Sequence, residues 1–228
     1  MICYAHTDAQ TRPVENYLQQ AGDYANLYNG EIETHYNIVR YSNMPYYESS
    51  DFTDAFIVYR KSDYPHQKVR LDLYKEQLIV LPPEKQYGIV VNTSNINKIV
   101  MYGKTFEWLV PPKESGLKAG FYIHLSEGKK LQLYRKEYFY LQQELTTYRF
   151  DRSIKYYLVY NDRYYPVKNK GSLSKLFPQY KKQINQRAKE RVSDFKPNAG
   201  NASTLFADYM LVSLASYCDE LLTSTSRP

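Results

Sequence analysis

Val69-Arg70-Leu71-Asp72-Leu73-Tyr74-Lys75-Glu76-Gln77-Leu78-Ile79-Val80-Leu81 consists of two short apolar runs folded about a charged turn. Side chains alternate along a strand, so Val69, Leu71 and Leu73 share one face while Arg70, Asp72 and Tyr74 share the other. Closing a hairpin about Lys75-Glu76 sets Leu73 opposite Leu78 and Leu71 opposite Val80, which places four aliphatic side chains on one core-facing surface. On the reverse face Asp72 then opposes Ile79 and Arg70 opposes Leu81. The second strand is therefore apolar on both sides and needs cover. The expected cover is the C-terminal helix. Lys-Glu supplies neither the glycine nor the asparagine that favours a tight primed turn, so the face is better determined than the turn itself.

The same grammar of short strands and polar turns extends on both sides. Strands are expected at 52–60, in the hairpin, and at 87–91, 96–102, 106–110, 121–125, 131–136, 147–151, 155–160 and 164–167, with 138–144 readable as strand or helix. Lys61-Ser62-Asp63, Pro82-Pro83, Asn92-Thr93-Ser94-Asn95, Gly103, Pro111-Pro112, Ser126-Glu127-Gly128 and Asn161-Asp162 separate them. The expected fold is α+β and mainly β: an antiparallel meander of about ten strands, sandwich or half-barrel-like. A short N-terminal helical segment precedes it and C-terminal helices pack on it.

Before the sheet, residues 13–28 carry apolar side chains at helical spacing, with Thr11 as cap, Pro13 in the first turn and Asn29-Gly30 as the stop. Residues 31–50 are polar and tyrosine-rich, and Met44-Pro45-Tyr46-Tyr47 reads as an extended approach to the sheet. After Gly171 the period lengthens. Ser172 opens a short helix, and Pro178 opens a second with an Ile184, Ala188, Val192 stripe that docks between lysines and arginines. A linker around Pro197 and Gly200 leads to a last helix ending near Leu222 that is too apolar to lie free. The organisation is then 1–9 as a signal-peptide remnant, 10–30 as the N-terminal helical segment, 31–168 as the β domain, and 169–228 as a helical segment integral to the same domain.

Tyrosine is over-used, at 26 residues beside 9 Phe and one Trp, as suits half-buried strand surfaces whose polar tips reach an edge. The net charge of +6 is concentrated: between Lys168 and Lys196 nine basic residues face only Glu190 and Asp194. From this segment Lys181, Lys182, Arg187 and Lys189 are the candidate surface for an anionic partner, a solvated helix face being the simpler alternative. Their neutralisation is expected to leave stability within about 1 kcal/mol while weakening such binding.

Motifs for chemistry are absent. Cys3 and Cys218 make no disulfide framework, and His6, His35, His66 and His124 lack the spacing of a zinc site. No Gly-x-Ser-x-Gly elbow, phosphate-binding glycine loop or dinucleotide fingerprint occurs. Asp72, between Arg70 and Tyr74, reads as a hydrogen-bonding or ion-pair partner rather than a catalytic acid. The tyrosine-arginine run 156–165 resembles a single-strand nucleic-acid platform, but alternation puts its rings on two faces, so nucleic acid is not the expected partner. No cofactor or metal is implied. The apolar start followed by Thr7-Asp8-Ala9 suits the tail of an export signal, and no apolar run is long enough to span a bilayer.

Residues 17–30, Met44-Pro45-Tyr46-Tyr47, the hairpin itself, and Leu176-Phe177-Pro178-Gln179-Tyr180-Lys181-Lys182 together resemble uncharacterised secreted proteins of gut and oral Bacteroidota over nearly the whole chain. The resemblance implies export and a periplasmic or outer-membrane-associated location, and carries no catalytic residue with it. The expected function is that of a non-catalytic exported envelope protein, binding or acting as a structural accessory to an envelope partner. It would bind an envelope protein or an anionic envelope component and could touch the membrane peripherally. The alternatives are a carrier of an amphiphile held between curved sheet and C-terminal helix, and a hydrolase with a dispersed site.

Overall fold

A computed structural model describes residues 26–196 and 202–224. The signal-peptide remnant and most of the N-terminal helical segment lie outside these residues. Of that segment residues 26–30 are described, and Leu27 among them is fully buried in the core.

Among the described residues eleven strands form one antiparallel sheet: β1 (Glu31–Ile32), β2 (Thr53–Tyr59), β3 (Ser62–Asp72), β4 (Gln77–Leu81), β5 (Ile89–Val90), β6 (Ile96–Met101), β7 (Lys104–Leu109), β8 (Gly120–Glu127), β9 (Leu131–Gln143), β10 (Tyr148–Tyr160) and β11 (Arg163–Val167). Three α-helices follow, α1 (Lys170–Leu176), α2 (Lys181–Asp194) and α3 (Ala202–Ser224). The expected mainly-β fold with C-terminal helices is what the chain adopts. The sheet order β1-β5-β4-β3-β2-β6-β7-β8-β9-β10-β11 shows where the meander is broken. It runs outward from β2 to β5, returns through residues 91–95, and restarts with β6 on the other side of β2, where Phe56 pairs with Val100.

The β3–β4 hairpin forms with a register two residues from the expected one. Leu71 pairs with Leu78, Val69 with Val80 and Arg70 with Ile79, because Leu73 joins a wider turn in which Glu76 takes φ 54°. A slip of two preserves side-chain parity, so Leu71, Leu78, Val69 and Val80 remain on the core face, each fully buried. Asp72 determines the turn. Its Oδ1 accepts from the Tyr74 and Lys75 amides at 2.9 and 2.8 Å, and its Oδ2 accepts from the Tyr36 hydroxyl at 2.7 Å.

Ile79 is covered, but not by the C-terminal helix. Arg70 on the same face pairs with Glu33 at 2.5 Å and stacks its guanidinium over Tyr46 and Phe52, 4.7 and 4.5 Å from the ring centres. Gly88 completes this roof: a β-carbon there would stand 2.4 Å from Ile79 Cγ2 and 2.8 Å from Glu33 Oε2. The polar stretch after β1 is therefore the missing lid, and helix α3 is free to pack elsewhere.

That stretch also draws the sheet into a half-barrel. Residues 40–43 hydrogen-bond along the free edge of β10 through Arg40, Ser42 and Asn43, and the Asn43 amide both donates to and accepts from the Phe150 backbone. A few residues on, the Tyr47 amide donates to Leu71 O, and the Leu73 amide donates to Pro45 O. The strap thus ties β10 to β3, with β2, β6, β7, β8 and β9 between them in the sheet, while β1 and β11 remain unjoined edges. Much of the tyrosine excess is used here: Tyr36, Tyr41 and Tyr74 pack on Phe150 with ring centres 5.0–5.2 Å away.

Helix α3 packs Leu211, Leu214, Ala215, Cys218 and Leu222 on Leu131, Leu133, Tyr156 and Leu158, so the space between sheet and helix is filled by side chains. Asp219 fixes its position by accepting from three consecutive amides of the β8–β9 turn, Lys129, Lys130 and Leu131, at 2.7–2.9 Å. Deeper in, Arg135 joins Asp208 of α3 to Glu137 of β9, Arg152 also reaches Glu137, and the Tyr156 hydroxyl donates to Asp208 at 2.9 Å. Such buried charges cost solvation, which their pairing offsets, and Arg135 Nε stays buried without a hydrogen-bond partner among the described residues.

Candidate functional site

Several lysines gather around the turn from β11 into α1. Val167, the last residue of β11, is buried, and the chain then turns outward at Lys168 because Asn169 caps α1, its Oδ1 accepting from Gly171 and Ser172. Three depressions meet there, and all of them include Lys168. One, of about 410 Å³, lies beside the edge of β10 and is lined by Leu117, Ile154, Lys155, Tyr157 and Tyr164. A second, of about 630 Å³, follows α1 to Lys175 and Leu176. The third, of about 460 Å³, is a groove between α2 and α3 floored by Ala188, Ala207, Met210 and Leu214.

Lys155, Lys168, Lys170, Lys175 and Lys189 line these depressions, and no aspartate or glutamate does. Lys168, Lys170, Lys175 and Lys189 are exposed, and among the described residues none has a carboxylate within 4.0 Å. A face with cations on its rim, apolar side chains on its floor and no internal counter-charge suits an anion, and more so an anion with an apolar part.

The four residues expected to form the anionic-partner surface separate. Lys189 belongs to the face just described. Lys181 and Lys182 are exposed in the first turn of α2 and line none of the three depressions. Arg187 turns toward α3, where its guanidinium lies 5.4 Å from the Tyr217 ring centre and 3.7 Å from Glu190. Val192, expected to dock with Ile184 and Ala188, is instead 55% exposed and stands at the groove between α2 and α3. Lys155 could not be assigned to this face from sequence, because it lies in β10, ahead of the charge run that begins at Lys168, and only the pairing of β10 with β11 brings the two together.

The histidine most able to do chemistry is His124. Its Nδ1 lies 2.9 Å from Glu107 Oε1, the Tyr134 hydroxyl donates to the other Glu107 oxygen at 3.1 Å, and the imidazole stacks on the Tyr134 ring. The hydrogen bond to Glu107 raises the His124 pKa, and the same bond lowers that of Glu107. No serine, cysteine or lysine side chain bonds to this imidazole among the described residues. Burial raises the pKa of Asp72, whose acceptor positions are taken by the turn and by Tyr36, as befits a structural carboxylate. Among the described residues no three His, Cys, Asp or Glu side chains come together as a metal site. Cys218 is buried, and desolvation pushes its thiol up to about 12, far from a reactive thiolate. No described helix is long and apolar enough to cross a membrane.

No protein-family model matches the chain, and neither a curated protein nor a solved structure matches it.

Proposed function

We propose that the protein is a non-catalytic, exported binding protein of the cell envelope, and that it holds an anionic envelope component on the lysine-lined face around the β11–α1 turn. One observation carries this reading: three contiguous depressions share Lys168, are lined by five lysines, and have no acidic side chain in any wall. The setting rests on the resemblance to secreted Bacteroidota proteins. The partner class rests on charge. Exposed lysines without counter-ions raise the local concentration of anions and act within about 8 Å at physiological ionic strength.

Co-sedimentation with vesicles is a direct test. The protein is expected to sediment with phosphatidylglycerol vesicles at low salt, to be released as salt rises, and to ignore phosphatidylcholine vesicles. Equal retention on both lipids, or no retention on either, would remove the anionic component from the account.

A further inference from the structure

We infer that the groove between α2 and α3 is the seat of a single acyl chain, and that the ligand is a monomeric amphiphile with an anionic head, a fatty acid being its simplest form. This rests on the anion-binding reading above and adds the ligand's apolar half. The groove holds about 460 Å³, within the size range of small-molecule sites. Its floor and walls are Ala188, Ala207, Met210, Leu211 and Leu214, with Val192 and Phe206 at the mouth. Val192 is 55% exposed and Phe206 37%, on a part of the surface where both adjoining helices otherwise bury their apolar stripes.

The polar lining is small and cationic. Lys168, Asn169 and Lys170 come from the β11–α1 junction and Lys189 from α2, and every other lining residue is apolar. A head group carrying one or two negative charges would meet the lysines while its chain lay over Met210, whose unbranched thioether adapts to irregular apolar shapes. A bare inorganic anion leaves the trough empty. A neutral hydrocarbon leaves the lysines unpaired. Charge and apolar shape together select the amphiphile.

The experiment is calorimetric titration of the full chain with decanoate, laurate and myristate, each below its micelle concentration, alongside the alcohols of equal length. Burial of each added methylene is expected to tighten binding about fourfold until the groove is full. The carboxylates are expected to bind tighter than the alcohols. Ala207→Trp, which fills the trough at a half-buried position, should abolish the dependence on chain length, and Val192→Asp at the exposed rim should weaken it if the first variant fails to fold. Reversing charge at Lys168 and Lys189 should lower affinity about tenfold at every length without altering the slope. Carboxylate binding that is lysine-dependent but indifferent to chain length would overturn the acyl-chain inference and leave the anion-binding reading standing. Alcohols that bind as well as carboxylates would overturn both.

Discussion

The Glu76 carboxylate, carried on the turn of the β3–β4 hairpin, accepts a hydrogen bond at 2.6 Å from Lys136 of β9 and another at 2.8 Å from the Phe121 amide of β8. The pairing of β8 with β9 ends at Ile123 and Arg135, and Glu76 sits where the two strands part. Gly120 makes room for it, since a β-carbon there would lie 2.5 Å from Lys136 Nζ and 2.6 Å from Glu76 Oε2. The hairpin that builds the core thus also locks the far side of the curled sheet.

Removing one partner should show this lock. Glu76→Ala leaves a lysine whose side chain is 9% exposed without its counter-charge, and Lys136→Met leaves the carboxylate. Each is expected to lower unfolding free energy by roughly 2–4 kcal/mol, toward the lower end for a broken buried pair because Glu76 retains some contact with water. The double variant should lose less than the sum of the two. Urea unfolding of the three proteins measures this, and strict additivity would mean that the two groups do not act as a pair.

Asp219 makes a second long-range lock, between α3 and the β8–β9 turn. Asp219→Ala strands three buried or half-buried amides and should cost about 2–4 kcal/mol. Gly128→Ala should be destabilising by a different route, because its β-carbon would come 2.4 Å from the Asp219 carboxyl carbon. Thermal unfolding followed at the tyrosine near-ultraviolet signal is the readout. If Gly128→Ala costs nothing in the Asp219→Ala background, the carboxylate is the obstacle the glycine avoids.

The Glu107–His124 pair gives stability a dependence on pH. His124 titrates above its ordinary value of 6.5 when folded, so its contribution is complete below that value and is lost as pH rises through the folded one. Glu107 titrates below its ordinary 4.5, so its contribution is present above that value and lost as pH falls through the folded one. The pair is worth about 1 kcal/mol at most, given its partial exposure. Denaturant midpoints of the parent protein should decline as pH rises past 6.5, and His124→Asn should flatten that decline. An unchanged slope in the variant would assign the decline to another group.

The core face of the opening hairpin was legible in the sequence because alternation survives a two-residue slip in register. The slip was not legible, since it follows from the Asp72 carboxylate capturing the Tyr74 and Lys75 amides. The turn between β2 and β3, expected at Lys61-Ser62-Asp63, was legible in place but not in its residues. It falls at Arg60-Lys61, both with positive φ, where neither side chain favours that conformation; hydrogen bonds from the Arg60 amide to Asn95 O and from the Lys61 amide to Asn97 Oδ1 secure it. The strap at 40–47 has no hydrophobic period to read, because edge backbone groups and tyrosine rings hold it. At the candidate site the charge run exposed Lys189 as one of several cations. Only the fold shows that it shares a face with Lys155 and Lys168, and that Arg187 does not.

The central claim is that the lysine-lined face around the β11–α1 turn, rather than the basic charge of α2 in general, binds the anionic partner. Two charge-reversed proteins test it most directly in phosphatidylglycerol co-sedimentation at low salt: one altered at Lys168, Lys170 and Lys189, the other at Lys181 and Lys182. All five positions are exposed, so both proteins should fold with stability within about 1 kcal/mol of the parent. The account predicts that the first protein stays in the supernatant while the second sediments nearly as the parent does. Equal loss from both, or loss from the second alone, would contradict it.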